Sequence, residues 1–465
     1  MSSDSLDRKS DNMKRKHAIP LVLVLFLSLP AQGIHAQSGL DRKLDEYISP
    51  YVDREDFSGV VLIAKEGKVL YKKSFGLYDV AKRKRHRTNG RFAIASVSKP
   101  FTAVAILMLV EQGKLKLTDR IDQFIEGIPN GEIITIHHLL SHTSGLRANF
   151  ANFRQLSQQF HSTEELMELI RGTQARRNPG ERFSYSGNGY RILARIIEKA
   201  SGKTYGQFLE EEIFSPLKMK ETGNIVNEKH LDAFAPGYRH VDWDGLKASP
   251  LVDFSNHVGG GSLYSTASDL YKFDRAIKGH KLLNPVSTDS MLSVKAGSYG
   301  YGWYCRKAFG RDYVEHNGYL QGYRAYLTRY LEDDVTIIML SNVGANNALD
   351  NMKNDLAAIV FGEDYEKPKA MAFKALSADE KQSLMGTYEF DFRPGFRLII
   401  RQNVLGYLEM SVGGPFSVVH ALNTKELFHK GSQTGYQFRA TQTEVLDEVV
   451  MRYYGQDFIG KRVEE

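Results

Sequence analysis

Residues 96–112 run apolar on nearly all sides and stop at Gly113. A helix without a polar face has to be surrounded, so this segment belongs in the middle of a large domain with other elements packed around it. The chain has 465 residues, enough for two to three domains and an extensive core. Its 42% hydrophobic and 25% charged residues are ordinary globular values, which disfavours disorder, collagen-like repeats and a polytopic membrane protein. A formal net charge of +6 spread over this length is too dilute to mark a nucleic-acid face. The single cysteine, Cys305, excludes an internal disulfide framework and any multi-cysteine metal site. In the strand-like stretch 302–306 it reads as a small buried hydrophobe.

Around the central helix the periodicity changes twice. Residues 57–65 and 68–75 flank Glu66 and Gly67 and predict a hairpin. Helical patterns follow at 162–171, 190–200 and 205–214, and strand-like runs at 301–306, 312–316, 323–331 and 335–342, before a closing helix over 346–361. Strands, then helices, then strands predict an α+β domain: one antiparallel sheet flanked by helices, plus an all-helical section. Beyond a linker at 367–377, short strands at near-regular spacing predict a small C-terminal β-barrel or sandwich over 378–465. At the other end, Lys14, Arg15, Lys16 and His17 precede an apolar run at 18–29 and small residues ending at Ala36. That pattern predicts a signal peptide over 1–36, with Met13 as an alternative start, and places the catalytic domain at 37–366. The run is too short to span a bilayer comfortably, so no stable membrane span is expected after processing and the protein is expected to be periplasmic or secreted.

Ser96 and Lys99 stand three apart at the mouth of the buried helix, which puts both side chains on one face. A serine hydroxyl needs an adjacent base to act as a nucleophile near neutral pH. A lysine at a helix N-terminus faces the positive end of the dipole, which favours its neutral form. The Ser96 N–H, free of an intrahelical partner there, can meet a developing oxyanion.

Further segments follow in order: 134–146 with His137, His138 and His142; 179–190 with Tyr185, Gly187 and Asn188; 260–270; and His316, Asn317, Gly318 ahead of Gly322 and Tyr323. This succession resembles the serine β-lactamase and penicillin-binding superfamily, in the branch of class C β-lactamases, D-alanyl-D-alanine carboxypeptidases and related esterases, over about residues 40–360. The resemblance implies a β-lactamase/transpeptidase-like fold, with Ser96 as the acyl-forming nucleophile, Lys99 as its proton partner and Tyr185 as general base. It implies the N–H groups of Ser96 and Tyr319 as oxyanion donors, with His316, Asn317 and Gly318 forming the third motif. His316 would donate to a substrate carboxylate or to the Tyr185 oxygen. The family's second motif has asparagine in the place held here by Gly187, and Asn188 is the neighbouring candidate to replace it.

The expected function is therefore an exported serine hydrolase, a D-amino-acid peptidase or carboxypeptidase on cell-wall-type peptides. An esterase of the same architecture is the alternative, and a non-catalytic β-lactam or muropeptide binder the second. No cofactor and no metal are expected; His138 and His142, four apart, lack the letters of a metal motif. The expected partner is a small-molecule or peptide substrate, no nucleic acid is expected, and the oligomeric state is left open.

Overall fold

The structure is a computed structural model that describes residues 32–463, apart from 226–233, 243–244, 251, 345, 369, 442–444 and 454–455. Most of the predicted signal segment, residues 1–31, lies outside the described residues. The first helix, α1 (Gln32–Asp53), runs through position 36. Among the described residues no helix is long and apolar enough to cross a membrane.

Six antiparallel strands make the main sheet: β1 (Gly59–Lys65), β2 (Lys68–Phe75), β3 (Tyr304–Ala308), β4 (Arg311–Leu320), β5 (Tyr323–Tyr330) and β6 (Val335–Ser341), in the spatial order β3-β4-β5-β6-β1-β2. The predicted hairpin is β1 and β2, and β1 also pairs with β6 from Gly59 opposite Ser341 to Lys65 opposite Val335, closing the chain's two strand-forming regions into one sheet. Every residue of β5 and β6 is buried. Because strand side chains alternate, the apolar runs serve two cores at once. Val60, Leu62, Ile338 and Leu340 face the helical core, while Val61, Ile63, Ile337 and Met339 face α1 and the helix at Ala348–Phe361. A sheet covered on both faces explains why these strands read as continuous hydrophobic stretches rather than as alternations.

The helical core holds α2 (Ser98–Glu111), the predicted all-round apolar helix, together with α3 (Gly187–Ser201) and α4 (Ala267–Lys278). The strand expected from 301 starts only at Tyr304, because Gly302 takes a left-handed φ of 80°. A β-carbon there would stand 2.9 Å from the Ala103 methyl and 3.0 Å from the Lys99 carbonyl oxygen, so the 302 turn is pressed against α2.

The C-terminal strands curl into one nine-stranded, nearly closed barrel-like sheet whose two edge strands, Ser417–Val418 and His420–Asn423, are separated by a single residue. The last strand, Gln456–Val463, pairs with Gly386–Phe390 inside this sheet. Its own core includes Tyr388, Leu398, Phe438 and Val449. Lys430 Nζ donates to the Arg54 carbonyl oxygen at 2.9 Å, tying this sheet to the end of α1.

Candidate active site

Strand Phe92–Ala93 leads into a single 3-10 turn, Ala95–Val97, and then into α2. Ala95 makes the bend with a left-handed φ of 47°, which costs a non-glycine residue about 1–2 kcal/mol. Two contacts hold it there: Ser98 Oγ donates to the Ala95 carbonyl oxygen at 2.7 Å and accepts from the Leu263 N–H at 3.2 Å. Ser96 thus sits on the tight turn ahead of the α-helix, half-buried, at the wall of a cleft of about 170 Å³.

Lys99 is 2% exposed. Its Nζ lies 3.0 Å from Ser96 Oγ and donates to the Gly260 carbonyl oxygen at 2.7 Å. Burial, with Arg191 as a second cation nearby, lowers its pKa to about 7. The amine stands over the rings of Tyr185 and Tyr190, 5.0 and 5.4 Å from their centroids. Burial raises the Tyr185 phenol above its ordinary range, and a hydrogen bond with Ser96 offsets this only in part. Of the two candidate bases, the amine is therefore the one that loses its proton near neutral pH.

His142 carries the loop that delivers Tyr185. Its carbonyl oxygen accepts from the Ser184 N–H at 2.7 Å and its Nδ1 from the Ser186 N–H at 3.1 Å, clamping the chain on either side of the tyrosine. His138 also serves the backbone, its Nδ1 accepting from the Thr135 N–H in a capping box. Both rings are used as backbone acceptors, His138 within its own helix cap and His142 across to the Tyr185 loop, and no group of three or more candidate metal ligands occurs among the described residues.

The opposite wall is the end of β4. Strand β3 pairs only with residues 311–315, so from His316 to Leu320 no strand covers that side of β4 among the described residues. The open edge faces the 3-10 turn, and Tyr319 and Leu320 line the cleft. His316 itself is turned away: it is fully buried, Nε2 meeting the Tyr299 hydroxyl at 3.0 Å and Nδ1 the Asn317 carbonyl oxygen at 2.7 Å, and burial lowers its pKa to about 3. It shares no hydrogen bond with Tyr185, whose ring centroid is 6.4 Å away. Asn317 and Gly318 stay in the strand without lining the cleft. Asn188 is fully buried in α3, with Oδ1 accepting from Arg191 Nη1 at 2.8 Å. The structure thus brings Ser96, Lys99, Tyr185 and Tyr319 to one cleft and leaves His316, Asn317, Gly318 and Asn188 behind its walls.

Three polar residues of the cleft lie outside the sequence motifs: Asn149, Arg191 and His257. Arg191 had a signal, since it stands one helical turn after Gly187 and so on the same face. His257 is held neutral by burial and by its two cationic neighbours, Arg191 and Lys99, its pKa lowered to about 3.

A serine on a strained turn, hydrogen-bonded to a buried lysine and facing an open strand edge, marks a serine hydrolase in this α+β frame. The Beta-lactamase family model matches residues 44–361, and the chain belongs to that family and is a hydrolytic enzyme. It is 33% identical over 351 residues to a penicillin-binding protein of Bacillus subtilis (strain 168), covering 70% of this chain and 77% of that protein. It is 25% identical over 311 residues to the teichoic acid D-alanine hydrolase of Staphylococcus aureus (strain MRSA252), covering 66% and 74%. Among solved structures, an octameric penicillin-binding protein homologue from Pyrococcus abyssi shares the fold over 90% of this chain and 99% of its own, with a TM-score of 0.63 at 23% identity.

Proposed function

We propose that this protein is an exported hydrolase that works through an acyl-enzyme on Ser96 and cleaves D-amino-acid peptides of cell-wall type. The observation that carries the reading is the buried Lys99 amine, 3.0 Å from Ser96 Oγ and poised near neutrality. Neutral Lys99 takes the hydroxyl proton as Oγ attacks the substrate carbonyl. The N–H groups of Ser96 and Tyr319 receive the oxyanion. The Tyr185 phenol, kept protonated by burial, hands a proton to the leaving group and recovers one from the Lys99 ammonium, which holds the proton taken from Ser96. Water then repeats the sequence and frees the acid. A binder without turnover has no use for an amine kept neutral beside a serine, which disfavours the non-catalytic alternative.

A second reading, hydrolysis of D-alanyl esters, is favoured by the size of the cleft. About 170 Å³ is below the roughly 300 Å³ at which sites for larger ligands begin, and suits a small acyl group. The teichoic acid D-alanine hydrolase among the relatives is named for such a group. Export rests on the basic and apolar pattern of residues 14–29.

The test is labelling with a serine-reactive fluorophosphonate, followed by hydrolysis of D-Ala-D-Ala peptides and D-alanyl esters side by side. One adduct on the peptide carrying Ser96, absent in Ser96→Ala, is expected. Equal labelling of that variant overturns the assignment, and turnover of esters alone selects the second reading.

A further inference from the structure

Gly187 opens α3 two residues after Tyr185, and Arg191 follows one turn later on the same face. A β-carbon at 187 would stand 3.1 Å from Arg191 Nη1, 3.0 Å from the Ala148 carbonyl oxygen and 3.4 Å from Asn149 Oδ1. The guanidinium therefore reaches the cleft wall through space that any larger residue at 187 would contest.

Arg191 is 2% exposed, yet no carboxylate pairs with it among the described residues. Its three hydrogen bonds among the described residues all go to neutral acceptors: Nε to the Asn256 carbonyl oxygen at 2.6 Å, Nη1 to Asn188 Oδ1 at 2.8 Å and Nη2 to Asn149 Oδ1 at 3.2 Å. The rings of Phe153 and Phe150 flank it at 5.0 and 5.4 Å. One N–H on each of Nη1 and Nη2 is left without a partner among the described residues. A buried cation is expensive unless something balances it, and acidic side chains usually do so. No Asp or Glu lines this cleft. Lys99 titrates near pH 7 and His257 stays neutral, while burial lowers the Arg191 pKa only to about 9, so Arg191 supplies the positive charge that persists through neutral pH.

We propose that Arg191 is a substrate-binding residue that selects substrates carrying a carboxylate next to the scissile bond, the carboxylate supplying the missing counter-charge. A guanidinium offering an N–H from each terminal nitrogen matches the two oxygens of a carboxylate. The inference deepens the reading of Ser96 as the acylated nucleophile and rests on it.

The test compares kcat/KM on four aryl esters with the full-length enzyme. Phenyl butyrate is the neutral reference, and mono-phenyl succinate places the charge on the acyl side. The ester 3-carboxyphenyl butyrate places it on the leaving group, and 3-carbamoylphenyl butyrate is its neutral match. A charge-assisted contact predicts a preference of about tenfold or more for one of the charged esters, and which one locates the carboxylate. The preference should vanish in Arg191→Met, survive in part in Arg191→Lys, and fall in Gly187→Asn, which crowds the guanidinium from the other side. The Arg191→Lys and Gly187→Asn arms report on charge and access even if Arg191→Met folds poorly. Hydrolysis of the neutral esters with no preference for either charged one overturns the inference and leaves the serine assignment standing. Failure of all four esters, with Ser96 unlabelled by fluorophosphonate, overturns both.

Discussion

A β-carbon on Gly318 would stand 2.2 Å from the Ile94 carbonyl oxygen. The edge of β4 and the residue that leads into the turn carrying Ser96 therefore touch backbone to backbone, an approach that a single methyl group would break. Gly318→Ala forces these two walls apart. We expect a loss of about 1–3 kcal/mol in stability, as overpacked sites typically give, with activity falling by far more than the unfolded fraction explains. Thermal unfolding and kcat/KM measured on the same preparation check this.

Lys99→Ala and Tyr185→Phe should each slow acylation by about 10² or more, the usual scale of lost proton-transfer assistance. Stopped-flow acylation at fixed pH reads this directly. Turnover within threefold of wild type in either variant would remove that residue from the proton path.

The pH dependence follows from the amine. Because burial depresses the Lys99 pKa to about 7, the active neutral form accumulates as pH rises through that value, so kcat/KM should climb from pH 6 to pH 8 and then level. Arg191 contributes to the depression, with His142 and His316 nearby but neutral. Arg191→Gln should therefore move the ascending limb to higher pH. A limb that stays in place would remove Arg191 from the causes of the depression and leave burial alone.

Cys305 is half-buried rather than the buried hydrophobe expected; its Sγ donates to the Leu292 carbonyl oxygen at 3.0 Å, and this partial burial pushes its thiol pKa up to about 11. The thiol should resist iodoacetamide at pH 7.5 for hours in the native protein and react at once in urea, as mass spectrometry can follow. Rapid native alkylation would contradict this packing.

Local pattern carried much of the architecture. Residues 96–112 had to be a surrounded helix because they offer no polar face, and the Glu66-Gly67 pair between two β-rich runs had to be a hairpin. Ser96 and Lys99 were legible too: although Ser96 sits on the 3-10 turn ahead of α2, three residues of continuous helical winding still put both side chains on one face. Other features depend on contacts distant in sequence. The Lys99 amine is poised by the Gly260 carbonyl oxygen, 161 residues away, and by burial under the rings of Tyr185 and Tyr190. His316 stood in a motif position, but whether its ring faced substrate or core was settled by Tyr299 taking its Nε2. Arg191 is one polar position among several on its amphipathic helix, and it is the open place at Gly187 that brings it to the cleft. Periodicity and spacing fix which side chains share a face of one element, since a single backbone geometry sets those distances. Charge state, orientation and access to the cleft are set by desolvation and by partners from other elements, and only the packed chain brings these together.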